Sequence, residues 1–261
     1  MAMGFRALPL TFLAHALAIA GAVMVLVWVL YYRGGIAWEA ANKNLIFNLH
    51  PFLMLVGLII IGGEAIMSYK SLPLKKEVKK VVHLVLHAIA IILGCVGIAA
   101  AFKNHNESNI ANLYSLHSWL GITIISLYGI QWIYGFLVFF YPKGSPTLRS
   151  ECLPWHVLFG ILVYILAVGN AALGFLEKLT FLESSGIAKY GPEALLVNFT
   201  AVIYVALEVD ELGDPGDFRV SLKIPFQLTR GPSFLLYSNS KCPNRNSSVI
   251  SDEQRLVSRL D

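Results

Sequence analysis

The sequence has few charged residues and no paired cysteines. Asp, Glu, Lys and Arg make up 14% of its 261 residues, whereas about a quarter of a soluble globular domain is charged. The net charge of +4 is small and scattered along the chain, which argues against nucleic-acid binding. The three cysteines (Cys95, Cys152 and Cys242) form no CxxC pair, which argues against a disulfide framework or a cysteine metal site. The sequence also offers no evident catalytic triad or carboxylate pair.

The sequence contains several long apolar runs. Hydrophobic residues make up 56% of the chain, and a helix that spans a membrane needs about 20 apolar residues. The first run is longer than the apolar part of a typical signal peptide, so we expect it to be a retained helix. The five runs that predict spanning helices are residues 7–32, 45–69, 81–102, 111–141 and 153–175.

A sixth apolar run, residues 194–207, is shorter. Its 14 residues would form a helix of about 21 Å, which is less than the roughly 30 Å hydrocarbon core of a bilayer. The polar sequence that follows has no sustained periodicity, which is typical of disorder. We therefore predict an all-α membrane protein with a six-helix transmembrane domain over 1–206, a truncated sixth helix, and a disordered tail over 207–261.

Basic residues differ between the two sides of the predicted bundle. Five lysines lie between helices two and three, and Lys143 and Arg149 lie between helices four and five. The opposite loops have basic residues interspersed with acids, namely Arg33, Lys43, Lys103, Lys178 and Lys189. The positive-inside rule therefore predicts that the lysine-rich side is cytoplasmic.

Four histidines fall at two matched depths. His50 and His117 lie near the non-cytoplasmic ends of helices two and four, about five and six residues inside them. His83 and His156 lie about one turn inside the cytoplasmic ends of helices three and five. Matched depth on two helices is what axial ligation of one haem iron by two imidazoles requires. The pattern predicts two b-type haems, one near each side of the membrane, in a four-helix core.

Other roles for these histidines stay open. An intramembrane histidine can hydrogen-bond to a neighbouring helix or form part of a proton relay, which would fit a membrane transporter. A haem anchor subunit of a quinone-linked complex is a third interpretation. His87 lies one turn deeper than His83 on the same helix face, but depth matching favours His83 as the ligand. His15 has no partner at matched depth, so we expect neither His15 nor His87 to bind iron.

A stripe of lysines leads to the cytoplasmic histidine. Steps of four and three residues join Lys76, Lys80 and His83, so the three share a helix face if the helix extends back to Lys76. Arg149 lies seven residues before His156 and could close the same site. Ammonium and guanidinium groups suit an anionic reductant. Ordinary positive-inside topology would give the same lysines, and both interpretations stay open.

The opposite side has a polar, aromatic segment near its histidines. His105 is predicted to lie in a loop, and Tyr114 lies just before His117. A pocket of this kind over a haem could bind an electron acceptor, although a loop histidine is often simply solvated.

Three segments together carry a family resemblance. They are "SLPLKKEVKKVVHLVLH", "NLYSLHSWLG" and "EALLVNFT", taken with the spacing of the four histidines. Over about residues 10–205 the chain resembles the cytochrome b561 family, which are transmembrane ascorbate-dependent oxidoreductases, and is most similar to members from plant vacuolar membranes. The sequence after about residue 205 does not resemble the family.

The resemblance implies a function and roles for single residues. It implies six helices, two b-type haems held by helices two to five, and the four histidines as ligands in the pairs given above. Ascorbate is expected to bind near Lys76, Lys80 and Arg149, and the acceptor near His105 and Tyr114. Electrons would pass from cytoplasmic ascorbate to monodehydroascorbate or a ferric chelate. The family likeness further implies a homodimer in a vacuolar or other internal membrane.

Overall fold

Six helices, named α1 to α6, and the loops that join them form the part of the chain that the structure describes. The structure is a computed structural model, and it describes residues 4–212. In this part no residue is in a strand. The predicted tail therefore lies, from residue 213 onward, outside the described residues.

Three of the helices contain π-helical turns. Helix α1 is Gly4–Val27 followed by Trp28–Tyr32, and α2 comprises Asn44–Phe47, Leu49–Phe52, Leu53–Ile61 and Gly62–Ser71. Helix α4 is Leu116–Gly135 followed by Phe136–Phe140. The remaining helices are α3 (Lys76–Glu107), α5 (Pro146–Ser184) and α6 (Pro192–Leu212). The π-helical part of α2, Leu53–Ile61, begins two residues after Pro51.

Helices α1 to α5 are each long and apolar enough to cross a membrane. All five predicted spans are therefore confirmed as helices, and the chain is an all-α, multi-pass membrane protein. Helices α2, α3, α4 and α5 pack in a closed ring in that order, so α2 lies diagonal to α4 and α3 diagonal to α5. Helices α1 and α6 pack against each other, with α6 against α5 and α1 against α2.

A buried carboxylate joins α1 to α6. Glu193, in the first turn of α6, accepts hydrogen bonds from the Trp28 indole (3.0 Å) and from the Arg33 guanidinium (2.6 Å). Asn48 of α2 donates to the backbone carbonyls of Arg33 and Gly35. These buried polar contacts hold the outer helices against the ring, because separation of the Arg33–Glu193 pair would leave a buried charge without a partner.

Helix α4 begins later than the apolar run. The run predicts a start at residue 111, but the backbone φ angles of Asn109 and Leu113 are 56° and 54°, which a right-handed helix does not allow. The Ser115 hydroxyl accepts from the Ser118 amide and caps the helix there. His117 is therefore the second residue of α4, and the prediction that it lies about six residues inside was wrong.

The other long helices extend beyond their apolar runs, because helix hydrogen bonds do not depend on apolar side chains. Ser145 caps α5 ahead of Pro146, and this helix continues to Ser184, so Lys178 is helical. Helix α3 begins at Lys76, as the lysine stripe requires, and its last turn includes His105. The loop positions predicted for Lys103, His105 and Lys178 were therefore wrong. His83 and His156 likewise lie more than one turn from their helix ends.

Helix α6 has 21 residues rather than the 14 predicted. Its apolar part, Pro192–Leu207, still falls short of a spanning length, and two of the last four residues of the helix, Asp210 and Glu211, are acidic. The apolar segment is short, as the sequence indicates, while the helix itself is not.

Candidate functional site

Two pairs of histidine rings lie inside the four-helix ring. The centroids of the His50 and His117 rings are 6.1 Å apart, with an angle of 82° between their planes. The centroids of His83 and His156 are 6.3 Å apart, at 74°. Each pair joins diagonal helices, α2 with α4 and α3 with α5. The structure thus brings together the four histidines in the two pairs that the sequence predicts.

Backbone carbonyls fix three of the four rings. The Nδ1–H of His50 donates to Gly97 O (3.1 Å), that of His83 to Ala65 O (2.9 Å), and that of His117 to Asn170 O (3.0 Å). A carbonyl can only accept, so each of these Nδ1 atoms has the ring proton. The lone pair of each ring is then on Nε2, which is the tautomer that binds a metal through Nε2.

The fourth ring, His156, has a side-chain partner. The Gln131 amide nitrogen lies 3.0 Å from His156 Nδ1 and donates to the His156 carbonyl at 2.6 Å. Sequence analysis did not single out Gln131. The available signal was an amide side chain in the apolar interior of α4, where a polar residue needs a partner.

Two glycines leave room for rings of this cluster. A Cβ atom at Gly135 would lie 2.9 Å from His156 Cε1, and one at Gly174 would lie 2.8 Å from His117 Cε1. Real Cβ atoms do not approach other atoms so closely, so the positions of these rings require glycine. By contrast, a Cβ at Gly129 or Gly169 would meet nothing within 4 Å.

The spacing of each pair fits one iron atom. A metal–imidazole bond of about 2 Å, with about 1 Å from the nitrogen to the ring centre, places two rings on opposite sides of a metal about 6 Å apart. No cluster of three or more His, Cys, Asp or Glu that could hold a metal occurs in the described residues. Two ligands a site are what a haem iron needs, because the porphyrin supplies the others. The residues therefore fit a haem at each pair.

Two further histidines make other contacts. His87 Nδ1 is hydrogen-bonded to the Tyr128 hydroxyl, and the His87 ring lies edge-on to His83 with the centroids 4.3 Å apart. His15 Nδ1 lies 2.7 Å from a carboxylate oxygen of Glu64. Each of these Nδ1 atoms already has a side-chain partner.

The lysine-rich end presents cations near the second histidine pair. Lys80 pairs with Glu77 at 3.1 Å, and the Lys80 side chain is 16% exposed against 74% for Glu77. Lys76 begins α3 one turn earlier. Arg149 lies in the first turn of α5, and its Nε is buried without a hydrogen-bond partner in the described part of the chain.

The other end has a cavity beside the first histidine pair. His50, His117, His105, Tyr114 and Lys178 all line it. The His105 and Tyr114 rings lie 6.2 Å apart at 30°. Burial raises the pKa of the Tyr114 phenol, and the nearby Glu177 carboxylate raises it further. The structure thus places the two residues predicted at the acceptor site in one cavity with the histidine pair.

Similarity to known proteins covers most of the chain. The family described as "Eukaryotic cytochrome b561" matches residues 49–182. Transmembrane ascorbate ferrireductase 1 of Arabidopsis thaliana is 69% identical over 205 residues, which are 78% of this chain and 86% of that protein. Ascorbate-specific transmembrane electron transporter 2 of Zea mays is 66% identical over 78% of this chain and 87% of its own length. Transmembrane ascorbate-dependent reductase CYB561 of Mus musculus is 39% identical, over 70% and 72% respectively.

Proposed function

We propose that this chain, which belongs to the eukaryotic cytochrome b561 family, is an ascorbate-dependent oxidoreductase. We propose further that it moves single electrons across a membrane. Ascorbate is the donor, as the names of its relatives indicate for those proteins. Each histidine pair would hold one b-type haem. The acceptor is monodehydroascorbate or a ferric chelate.

The observation that carries this proposal is the pair of matched ring spacings. Separations of 6.1 Å and 6.3 Å occur on the two diagonals of one four-helix ring. The haem supplies the one-electron chemistry when bound. The chain supplies two imidazole rings a site, carbonyl groups that orient three of the rings, and glycines that leave room for His117 and His156. A transporter that used the histidines as a relay would not need this common spacing.

At the lysine-rich end, we assign Lys76, Lys80 and Arg149 to ascorbate binding. Ascorbate is a monoanion, and its oxidation releases one electron and one proton to leave monodehydroascorbate. Cationic side chains favour the anion electrostatically. The partly buried Lys80 ammonium and the orphaned Arg149 Nε both support a bound anion here. The positive-inside rule makes this end cytoplasmic.

At the cavity end, we assign His105 and Tyr114 to the acceptor. Monodehydroascorbate takes up one electron and one proton to give ascorbate, whereas a ferric chelate takes up one electron. Both side chains can donate a hydrogen bond into the cavity that His50 and His117 line. We also propose, from the resemblance, that the protein is a homodimer of a vacuolar or other internal membrane.

A spectrum of the purified, full-length protein tests the proposal. The reduced-minus-oxidised difference should show the α-band of a b-type haem, with two haems for each chain, and ascorbate alone should reduce the protein. Absence of the α-band would end the haem assignment. Reduction that needs a partner protein would instead support an anchor subunit of a larger complex.

A further inference from the structure

We infer that Lys178 makes the cavity at the His50–His117 end an anion site, which takes a carboxylate or an enolate. The inference rests on the proposed function, since it names the class of acceptor that the same cavity would bind. Lys178 is a cavity-lining residue to which sequence analysis gave no chemical role, because it was predicted to lie in a loop.

The position of Lys178 follows from the helix that carries it. Lys178 is four residues after Gly174 on α5, so the two share a helix face. Gly174 abuts the His117 ring. Lys178 therefore lies one turn further out than the histidine pair and lines the cavity above it.

Contacts on α2 place the Lys178 ammonium more closely. Lys178 Nζ lies 4.2 Å from the centroid of the Phe47 ring, over its face. The Phe47 ring lies 5.8 Å from the His50 ring. The ammonium is therefore held near the histidine pair by a cation–π contact, which orients the charge but does not neutralise it.

Lys178 differs from the other cations at this end of the bundle. In the described part of the chain it forms no ion pair with a carboxylate, and its neighbour Glu177 accepts a hydrogen bond from Ser115 instead. Three other cations are paired: Arg33 with Glu193, Lys43 with Glu107, and Lys103 with Glu107 and Glu39. The fourth, Lys189, is exposed in the α5–α6 loop and does not line the cavity.

An ammonium that lines a cavity, and that forms no direct ion pair within residues 4–212, favours an anion there. Bringing an anion next to a half-buried ammonium is electrostatically favourable, and a free ferric cation would be repelled. Two anionic groups of the same chemical class could occupy the site. One is the acceptor, as monodehydroascorbate or an anionic ferric chelate, and the other is a carboxylate of the porphyrin.

The test compares two acceptors of opposite charge. Vesicles that contain the full-length protein and trapped ascorbate receive hexacyanoferrate(III) or hexaammineruthenium(III) outside, and stopped-flow absorbance follows reoxidation of the protein. Lys178→Gln should slow the reaction with hexacyanoferrate(III) about three- to tenfold, because a steering charge is lost. The reaction with hexaammineruthenium(III) should not slow. Lys178→Arg should restore the rate, and Lys189→Gln, an exposed lysine in the α5–α6 loop, is the matched control.

Haem content and redox titration of the same variants distinguish the sources. Charge-selective slowing with unchanged haem content and midpoint potentials assigns the anion to the acceptor. Loss of haem or a shifted potential in Lys178→Gln, with rescue by Lys178→Arg, assigns it to the porphyrin. Wild-type behaviour of Lys178→Gln with both acceptors and in both haem measurements overturns the inference alone. Failure of ascorbate to reduce the wild-type protein overturns the proposed function and the inference together.

Discussion

The two ends of the four-helix ring have the same histidine spacing but different surroundings. At the cavity end, backbone carbonyls hold both rings, and Lys178, which forms no ion pair within the described residues, lies over the Phe47 ring beside His50. At the lysine-rich end, a carbonyl holds His83 but a side chain holds His156, and Lys80 is paired with Glu77. If each pair holds one haem, as proposed, the common spacing suits the same cofactor at both ends, and the different partners would tune and expose the two sites differently.

Removal of one histidine from each pair gives the largest expected effect. His83→Ala should remove the haem at the lysine-rich end, and His117→Ala the haem at the cavity end, since each leaves one axial ligand. About half of the haem should remain in each variant, measured by a pyridine haemochrome assay and by redox titration. His87→Ala is the control and should keep both haems. Equal haem loss in His83→Ala and His87→Ala would contradict the pairing.

Substitution of the glycines beside the rings should come next. Gly135→Ala should displace His156, and Gly174→Ala should displace His117, because the added Cβ would lie 2.9 Å and 2.8 Å from these rings. Overpacking of this kind costs about 1–3 kcal/mol. Each variant should lose haem at its own end only.

The matched controls for the glycines lie on the same helices. Gly129→Ala on α4 and Gly169→Ala on α5 add a Cβ that meets nothing within 4 Å. Both should keep wild-type haem content in the same assay. Haem loss in the controls as large as in Gly135→Ala and Gly174→Ala would show a general helix effect instead.

Replacement of lysines at the proposed ascorbate site by glutamine should give a smaller effect that is confined to the reaction with the donor. Lys76→Gln with Lys80→Gln should raise the KM for ascorbate about tenfold, because two favourable charges are lost, and should weaken the dependence of the rate on salt. Initial rates of haem reduction at several salt concentrations measure both. Lys79→Gln is the control, since the Lys79 ammonium donates to the Tyr69 carbonyl. If Lys79→Gln raises the KM for ascorbate as much as the double substitution does, the lysines set only the orientation of the protein in the membrane and do not bind ascorbate.

The smallest expected effect is at Gln131, and it separates positioning from packing. Gln131→Glu should lower the midpoint potential of the lysine-end haem by tens of millivolts, because a carboxylate that accepts from Nδ1–H makes the imidazole a stronger donor to iron. Gln131→Leu cannot accept and should show no such lowering. Trp132→Phe, which removes an interhelical hydrogen bond to Leu84, is the control. Equal lowering in the Glu and Leu variants would show that Gln131 only fills space.

Apolar runs and residue depth predicted much of this fold, because a bilayer restricts helix length and position. The five spans, the stripe from Lys76 to His83 and the two histidine pairings all follow from those restrictions. Helix ends were predicted less well. Polar residues can continue a helix beyond the apolar core, as in α5, and a local turn can interrupt an apolar run, as Asn109 and Leu113 do before α4.

Partners of the histidine rings could not be predicted. A backbone carbonyl is present at every residue, so the sequence contains no sign that Gly97, Ala65 and Asn170 are the acceptors. The direction of Lys178 into the cavity depends on where α5 ends, which the apolar run placed too early. Both features depend on packing between distant segments.

Because backbone atoms are the partners of three histidine rings, few mutations can change how those rings are hydrogen-bonded. A codon change replaces a side chain and leaves the carbonyl at that position, so the orientation of His50, His83 and His117 is insulated from most single substitutions at the acceptor residues. Of the four rings, only His156 has a side chain, that of Gln131, as its Nδ1 partner, and a single codon change can replace that side chain. Inherited changes in ring hydrogen bonding are thereby concentrated at position 131, at the lysine-rich end of the ring.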